Sequence, residues 1–291
     1  MVIHFSELEK ITGGRNLLLS KDNFINTLCI DSRKATDAQG TLFFAIKGER
    51  NDGHTYVHTL YALGVRQFVV ERPIADLNLL DSANIIVVDS SIDALQKLAA
   101  FRRWHFSLPI IGITGSNGKT IIKEWLYQIL SKDQVVVKNP GSYNSQVGVP
   151  LSVWQLQLYH QLGIFEAGIS RPGEMEKLEG VIQPTMGIFT NIGSSHSEGF
   201  TSQEEKIREK LKLFKGVDVL VYCKDHNPLD KIISQSNLKT FSWGANPLAT
   251  VNVGLKGDIC FIVYKNEKHE LRLPFSDKAS QENCLHCVAL M

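Results

Sequence analysis

The sequence has no apolar run of the roughly 18 residues that a membrane-spanning helix needs, so no such helix is expected. It also lacks an excess of either charge. Lys and Arg number 31 against 30 Asp and Glu, for a formal net charge of +1. That balance supplies no sequence-independent attraction to nucleic acid or to anionic lipid. The first residues, Met1-Val2-Ile3-His4-Phe5-Ser6-Glu7, do not place a basic segment before an apolar one, which argues against a secretory signal. Cysteine is scarce: Cys29, Cys223, Cys260, Cys284 and Cys287 are odd in number and mostly scattered. They read as reduced thiols of a cytoplasmic protein. Cys284-x-x-Cys287 is the one close pair. Without a second Cys-x-x-Cys to complete a zinc site, it reads as two small residues on a terminal helix. Low-complexity tracts and internal repeats are missing as well.

What is there is the composition of a globular protein, 43% hydrophobic and 21% charged. The 291 residues suffice for two domains of about 150 residues, each large enough to bury a core. Before residue 107, Thr41–Ile46, Gln67–Val70 and Asn84–Val88 have strand character. Tyr56–Leu63 and Ile92–His105 return apolar residues at helical steps. Pro109 opens a new segment, so the expected domains are 1–107 and 108–291. In the second, strands are expected at Ile110–Ile113, Gln134–Val137, Leu162–Phe165, Met186–Thr190, Val217–Tyr222 and Leu238–Ser242, with helices at Lys119–Leu130 and Gln203–Phe214. This alternation implies a mostly parallel sheet covered on both faces. After residue 248, Thr250–Leu255, Asp258–Tyr264 and His269–Leu273 resemble short antiparallel strands, with turns at Lys256-Gly257 and Asn266-Glu267 and a helix over Ser280–Leu290. The expected class is α/β: an N-terminal α/β domain plus a central phosphate-loop domain whose mostly parallel sheet carries a small antiparallel extension.

The strongest chemical signal is Ile110-Ile-Gly-Ile-Thr-Gly-Ser-Asn-Gly-Lys-Thr120. It follows an apolar strand and opens a helix, the setting a phosphate loop needs. Gly115 and Gly118 permit positive φ and close approach of backbone N–H groups to phosphate. The helix N-terminus adds partial positive charge. Together Gly115, Ser116, Asn117, Gly118, Lys119 and Thr120 form a candidate ATP site. Lys119 can bridge the β- and γ-phosphates, and the Thr120 hydroxyl can coordinate Mg²⁺. The loop is the short form G-x-x-G-K-T, because Ile113 stands where the longer pattern has its first glycine.

Thr114-Gly-Ser-Asn-Gly-Lys-Thr120 resembles the ATP loop of the Mur ligase family, and further segments match in order. Tyr143-Asn-Ser-Gln-Val-Gly-Val-Pro-Leu151 is similar to the family's N-N-x-x-G-x-P-L segment. Phe165-Glu-Ala-Gly168 resembles its E-x-G strand end. Thr190-Asn-Ile-Gly-Ser-Ser-His-Ser-Glu-Gly-Phe200 resembles its T-N-I-x-x-x-H-x-E segment. Glu209-Lys-Leu-Lys-Leu-Phe214 falls at its A-K-x-x-I-F helix. Asp31-Ser-Arg33 and Leu42-Phe-Phe-Ala-Ile-Lys-Gly-Glu-Arg-Asn-Asp-Gly-His54 look like the uridine-sugar domain of the members that add the third stem-peptide residue or the D-Ala-D-Ala dipeptide. Lys119-Thr-Ile-Ile-Lys-Glu124, Pro140-Gly-Ser-Tyr-Asn144 and Gly168-Ile-Ser-Arg-Pro-Gly-Glu174 favour the second.

The resemblance implies an ATP-dependent amide ligase of cell-wall synthesis. A carboxylate of UDP-N-acetylmuramoyl-tripeptide would be phosphorylated to an acyl phosphate and attacked by the amine of D-Ala-D-Ala, with two Mg²⁺ ions as charge clamps. It implies Thr120 and Glu166 as ligands of the first Mg²⁺, Glu166 ending a buried strand where α/β sheets place ligand groups. His196 would bind the second through a neutral imidazole, with Glu198 nearby. Lys210 matches the lysine that takes up CO₂ as a carbamate, and a lysine must be neutral to do so. Asn144, Ser145 and Gln146 would lie near the transferred phosphoryl group, where an amide can donate without titrating. Asn283 stands in the place of an adenine-contacting asparagine. In the first domain Ser32, Arg33, Lys47, Arg50, Asp52 and His54 would bind uridine, diphosphate and sugar.

Members of the family carry a third, C-terminal domain, and some are fused to an alanine racemase. The 291 residues are therefore expected to be part of a longer protein that binds nucleotide but ligates poorly alone. Two alternatives stay open: the member adding the third stem-peptide residue, and a non-catalytic nucleotide-binding module.

Overall fold

The apolar runs of the sequence become the inner strands of two sheets. The computed structural model describes residues 2–35, 38–193 and 199–291. The chain divides into two units, Met1–His105 and Phe106–Met291. Among the described residues no helix is long and apolar enough to cross a membrane.

The first unit holds a five-stranded sheet. Its strands are β1 (Arg15–Leu18), β2 (Thr27–Cys29), β3 (Thr41–Phe44), β4 (Gln67–Val70) and β5 (Asn84–Val87). Their spatial order is β1-β5-β4-β3-β2. β1 runs antiparallel to β5 and the other pairings are parallel. Every residue of β3 and β4 is buried, as expected of strands covered on both faces. Phe43 and Phe68 meet edge to face there, with centroids 6.4 Å apart. The expected helix at Tyr56–Leu63 is shorter, Val57–Ala62 (α1), because Gly53–Tyr56 form a 3₁₀ turn capped by Asp52. α2 (Ser91–Trp104) starts where the Ser90 hydroxyl accepts from the Asp93 amide at 3.2 Å.

The second unit is built on a nine-stranded sheet. Six strands are β6 (Ile110–Thr114), β7 (Val136–Lys138), β8 (Leu162–Glu166), β9 (Met186–Phe189), β10 (Val219–Cys223) and β11 (Thr240–Gly244). They are followed by β12 (Val251–Lys256), β13 (Ile259–Tyr264) and β14 (Glu267–Arg272). The order is β14-β13-β12-β11-β10-β9-β6-β8-β7, parallel from β12 to β7. β13 and β14 are antiparallel additions, so the α/β class and the small antiparallel extension both hold. β12 departs from the expected pattern: it pairs parallel with β11 on one side and antiparallel with β13 on the other. The last hairpin turns at Lys265 and Asn266 (φ 48° and 67°), not at Asn266-Glu267, and Tyr264 pairs with Glu267. Two adjacent positive φ values match a two-residue turn whose twist suits the strands.

The helices are α3 (Lys119–Leu130), α4 (Gly148–Val153), α5 (Glu174–Ile182), α6 (Gln203–Leu211), α7 (Asn227–Ile233) and α8 (Lys278–Leu290). The single helix expected over Gln203–Phe214 instead ends at Leu211 and tightens into a 3₁₀ turn, Lys212–Phe214. That turn delivers Leu213 and Phe214, both fully buried, into the core. The core includes Ile111, Ile113, Ile122, Leu126, Ile164, Ile188 and Val221.

Candidate functional site

β6 lies inside the sheet between β9 and β8, so the loop following it emerges between the ends of two parallel neighbours. Thr114, the last residue of β6, is buried and donates its hydroxyl to the Ala167 carbonyl at 2.9 Å. Two glycines shape the loop. Gly115 has φ 142°, and a β-carbon there would lie 2.0 Å from the Thr190 hydroxyl. Gly118 has φ 81°, and a β-carbon would lie 2.2 Å from Asn283 Oδ1. No other residue type fits either position without strain. The strand-β9 exit holds the loop from its side. The Ser116 amide donates to the Asn191 carbonyl at 2.8 Å and the Asn117 amide to Asn191 Oδ1 at 3.0 Å. Thr190 Oγ1 donates to the Asn117 carbonyl at 2.6 Å.

Lys119 and Thr120 open α3. Lys119 Nζ donates to the carbonyls of Gly115 and Ser116 at 3.0 and 3.1 Å, folded back over its own loop. Burial holds its ammonium below the ordinary lysine value. Thr120 Oγ1 donates to Glu166 Oε2 at 2.8 Å and Oε1 at 3.1 Å. Glu166 is fully buried at the end of β8, and its amide donates to Asn139 Oδ1 at 2.7 Å. A fully buried carboxylate needs a counter-charge. Lys123 Nζ supplies it from 3.8 Å while donating to the Gly141 carbonyl. Sequence reasoning passed over Lys123 and Asn139. The available signal was spacing: Lys123 lies one helical turn beyond Lys119 and Thr120, on the same face.

Lys210 comes to the same place from α6. It is 3% exposed and donates to the Gly115 carbonyl at 3.1 Å. Burial, with Lys119 and Lys206 beside it, pushes its ammonium down to about 7. Lys119, Lys206 and Lys210 line one cavity of about 170 Å³ with Gly115, Gly168 and Phe200. Asn144 lies beside Gly168: its carbonyl accepts from the Gly168 amide at 2.8 Å, and a β-carbon on Gly168 would lie 3.1 Å from its side chain. Ser145 and Gln146 are engaged elsewhere, Ser145 Oγ accepting from the Gly148 amide and Gln146 Nε2 donating to the Glu174 carbonyl. His196 and Glu198 lie outside the described residues.

α8 covers the loop from the other side. Asn283 lies against Gly118, and His286 is wholly buried beneath Thr190. Trp243 Nε1 donates to His286 Nδ1 at 3.2 Å, which leaves Nε2–H to donate to the Thr190 carbonyl at 3.0 Å. Cys284 and Cys287 are free thiols on this helix, and no cluster of metal-ligating groups occurs among the described residues.

In the first unit, Asp52 gathers its neighbours. Its Oδ1 accepts from the His54 amide at 3.0 Å and from Nδ1 at 2.6 Å, and Oδ2 from Arg72 at 2.6 Å. Arg72 and His54 together hold its carboxyl well below the usual carboxylate range. His54 is buried, and its Nε2 accepts from the Glu71 amide at 2.9 Å, so both ring nitrogens are used within the unit. Asp31 grips Arg33 through two bonds of 2.8 Å beside Ser32. Lys47 and Arg50 are exposed on the loop that returns to Asp52 through an isolated antiparallel backbone bridge between Lys47 and Asp52.

A family model for the Mur ligase middle domain matches residues 113–291, and one described as Mur ligase family, catalytic domain, matches residues 24–103. The UDP-N-acetylmuramoyl-tripeptide–D-alanyl-D-alanine ligase of Bacillus subtilis (strain 168) is 30% identical over 269 residues, covering 91% of this chain and 58% of that protein. The crystal structure of MurF from Acinetobacter baumannii superposes with a TM-score of 0.84 at 26% identity, covering 100% of this chain and 64% of that one. The MurF ligase of Thermotoga maritima in complex with ADP gives 0.80 at 26% identity, covering 91% and 62%. The chain thus spans less than two thirds of the length of these relatives. A glycine-lysine-threonine loop on a central parallel strand, a buried glutamate on the neighbouring strand and the two family matches in order agree: the chain belongs to the Mur ligase family.

Proposed function

We propose that this chain serves the ATP-dependent joining of D-Ala-D-Ala to UDP-N-acetylmuramoyl-tripeptide in peptidoglycan synthesis. The observation that carries the reading is the Thr120–Glu166 pair beneath a loop bordered by buried lysines. In this reaction the peptide carboxylate attacks the γ-phosphorus of ATP, releasing ADP and leaving an acyl phosphate. The D-Ala-D-Ala amine then attacks the acyl carbon, the amide bond forms and phosphate departs.

The residues suit those demands. The loop and the α3 N-terminus favour phosphate oxygens through backbone N–H groups and the helix dipole. Lys119, freed from the Gly115 and Ser116 carbonyls, would reach the β- and γ-phosphates. Asn144, beside Gly168, can donate to the developing negative charge. Asn283, packed on Gly118, is the candidate contact for the base. Thr120 and Glu166 are hard oxygen donors, a set that suits Mg²⁺ completed by nucleotide phosphates and water. A divalent ion held there would neutralise charge on the β- and γ-oxygens. For Lys210 we propose carbamate formation: its neutral amine attacks CO₂, a nitrogen–carbon bond forms and a proton leaves. The lowered ammonium value supports this, and Lys119 and Lys206 would balance the new anion. With His196, that carbamate would serve a second Mg²⁺. Ser32, Arg33, Lys47, Arg50, Asp52 and His54 remain the candidates for the UDP-sugar, His54 by fixing Asp52.

Calorimetric titration with UDP-muramoyl-tripeptide and, separately, UDP-muramoyl-dipeptide tests the reading. Preference for the tripeptide is expected. Preference for the dipeptide would assign the chain to the step that adds the third stem-peptide residue. Binding of neither by a folded sample, with ATP still bound, would leave a nucleotide-binding module.

A further inference from the structure

Helix α6 is rich in charge, yet its charges are sorted. Glu204 pairs with Arg208 at 2.8 Å. Glu205 Oε2 accepts from the Thr201 amide and hydroxyl at 2.7 Å. Glu209 turns away: Oε1 accepts from the amides of Gly173 and Met175 at the start of α5, and Oε2 pairs with Lys212 at 2.7 Å. Every carboxylate of the helix is therefore committed, and none serves Lys206 or Lys210. These two lysines stand four residues apart on one helical face. Both line the cavity that Lys119 also borders, and they are 8% and 3% exposed. Lys206 has no hydrogen-bond or ion-pair partner for its ammonium among the described residues. Two lysines buried one turn apart repel each other whenever both are protonated. Phe200 and Ile169 wall the same cavity with apolar surface, which strengthens both that repulsion and any attraction to an anion.

We propose that Lys206, which lies outside the phosphate-loop pattern, is a further anion-contacting residue of this cavity, holding a phosphate-class oxyanion at the γ-phosphoryl position. The proposal rests on the ATP-dependent reading above. It makes Lys206 a contact to the group in transit, from ATP to acyl phosphate, and not to the α- and β-phosphates that the loop cradles. Lys119 approaches that oxyanion from the loop, and Lys206 approaches it from α6.

The test compares the affinity of the whole chain for the β,γ-imido analogue of ATP with its affinity for ADP, both with Mg²⁺. Lys206→Gln should weaken the triphosphate by roughly ten- to a hundredfold while ADP changes little, because a charge-assisted bond is lost from one ligand only. Lys206→Arg should keep most of the triphosphate preference, since the charge remains. Equal losses for both nucleotides in Lys206→Gln, or an unchanged ratio, would overturn the role of Lys206 while leaving the ATP-dependent reading intact. An Arg variant that behaves like the Gln variant would also overturn it. Failure of the native chain to bind either nucleotide would overturn the ATP-dependent reading and the proposal with it.

Discussion

The Thr120 hydroxyl donates to the carboxylate of Glu166 at 2.8 Å, joining the first turn of α3 to the end of β8. Glu166 is fully buried, and Lys123 approaches it at 3.8 Å. A buried carboxylate facing a hydroxyl and a phosphate loop is poised to exchange that hydroxyl's proton contact for a divalent cation. Glu166→Gln keeps the size and removes the charge. We expect Mg²⁺ to improve ATP affinity in the native chain and to do so at least tenfold less in the variant, by analogy with typical losses at metal sites. Titrations with and without Mg²⁺ decide this, and equal Mg²⁺ dependence in both proteins would exclude Glu166 as a ligand.

Gly118→Ala should harm both stability and nucleotide binding. The added β-carbon would lie 2.2 Å from Asn283 Oδ1, at φ 81°. Backbone strain of this kind costs about 1–3 kcal/mol. Adding Asn283→Ala should recover the part due to the clash and leave the part due to φ. Thermal melts of the two single variants and the double variant separate these contributions, and strictly additive losses would show that the contact is not the cause.

His286 should matter for stability and for its acid limit. Burial pushes its imidazole down to about 4, so the folded protein holds it neutral. The unfolded chain binds that proton near 6.5, so it carries more protons than the folded state between those values. The stability from this group is present above about 6.5 and is lost as pH falls toward about 4. His286→Ala should cost about 2–4 kcal/mol, because it leaves a cavity and unpaired groups on Trp243 and Thr190. It should also flatten the stability–pH curve in that window. Denaturant melts across the window give both quantities.

Lys210 should act in the same direction at higher pH. Its ammonium is pushed down to about 7 from the ordinary lysine value of about 10.5 by burial, Lys119 and Lys206. Between those values the unfolded chain holds more protons, so native stability should rise with pH across this window. Below about 7 both states hold the charge, and its burial remains a penalty. Lys210→Met should therefore be more stable than the native chain near pH 6, with the advantage shrinking as pH rises. An advantage independent of pH would show that the lysine is not buried as a charge. Isotopically labelled bicarbonate supplied near pH 8 should give a carbamate carbonyl resonance in the native chain that is missing from the variant.

Much of the second unit was legible because its signals are local. An apolar run, two glycines, a lysine and a threonine define a strand, a turn with positive φ and a helix start, and residues 110–130 form them. That Glu166 ends a buried strand was legible from the apolar run before it. The hairpin turn was misplaced by one residue, since Lys265 gives no local sign that it will accept φ 48°. The break at Leu211 was also hidden, because a 3₁₀ turn is chosen by the burial of Leu213 and Phe214, not by the residues that make it. In the first unit, the sequence offered six candidates as a group. Folding separates them into the exposed Arg33, Lys47 and Arg50, the half-buried Ser32 and the committed pair Asp52–His54.

The sequence by itself determined the phosphate loop, the strand–helix alternation and the family, since each depends on residue types at short, ordered spacing. Only the tertiary structure decided that β6 lies between β8 and β9, which brings Glu166 to Thr120, and that α6 carries Lys210 to the Gly115 carbonyl of the same loop. It also decided which lysines of α6 and of the turn after it are buried. Lys206, Lys210, Lys212 and Lys215 are alike as letters, and the direction in which the helix packs sets which ammonium groups lose water and face a cavity.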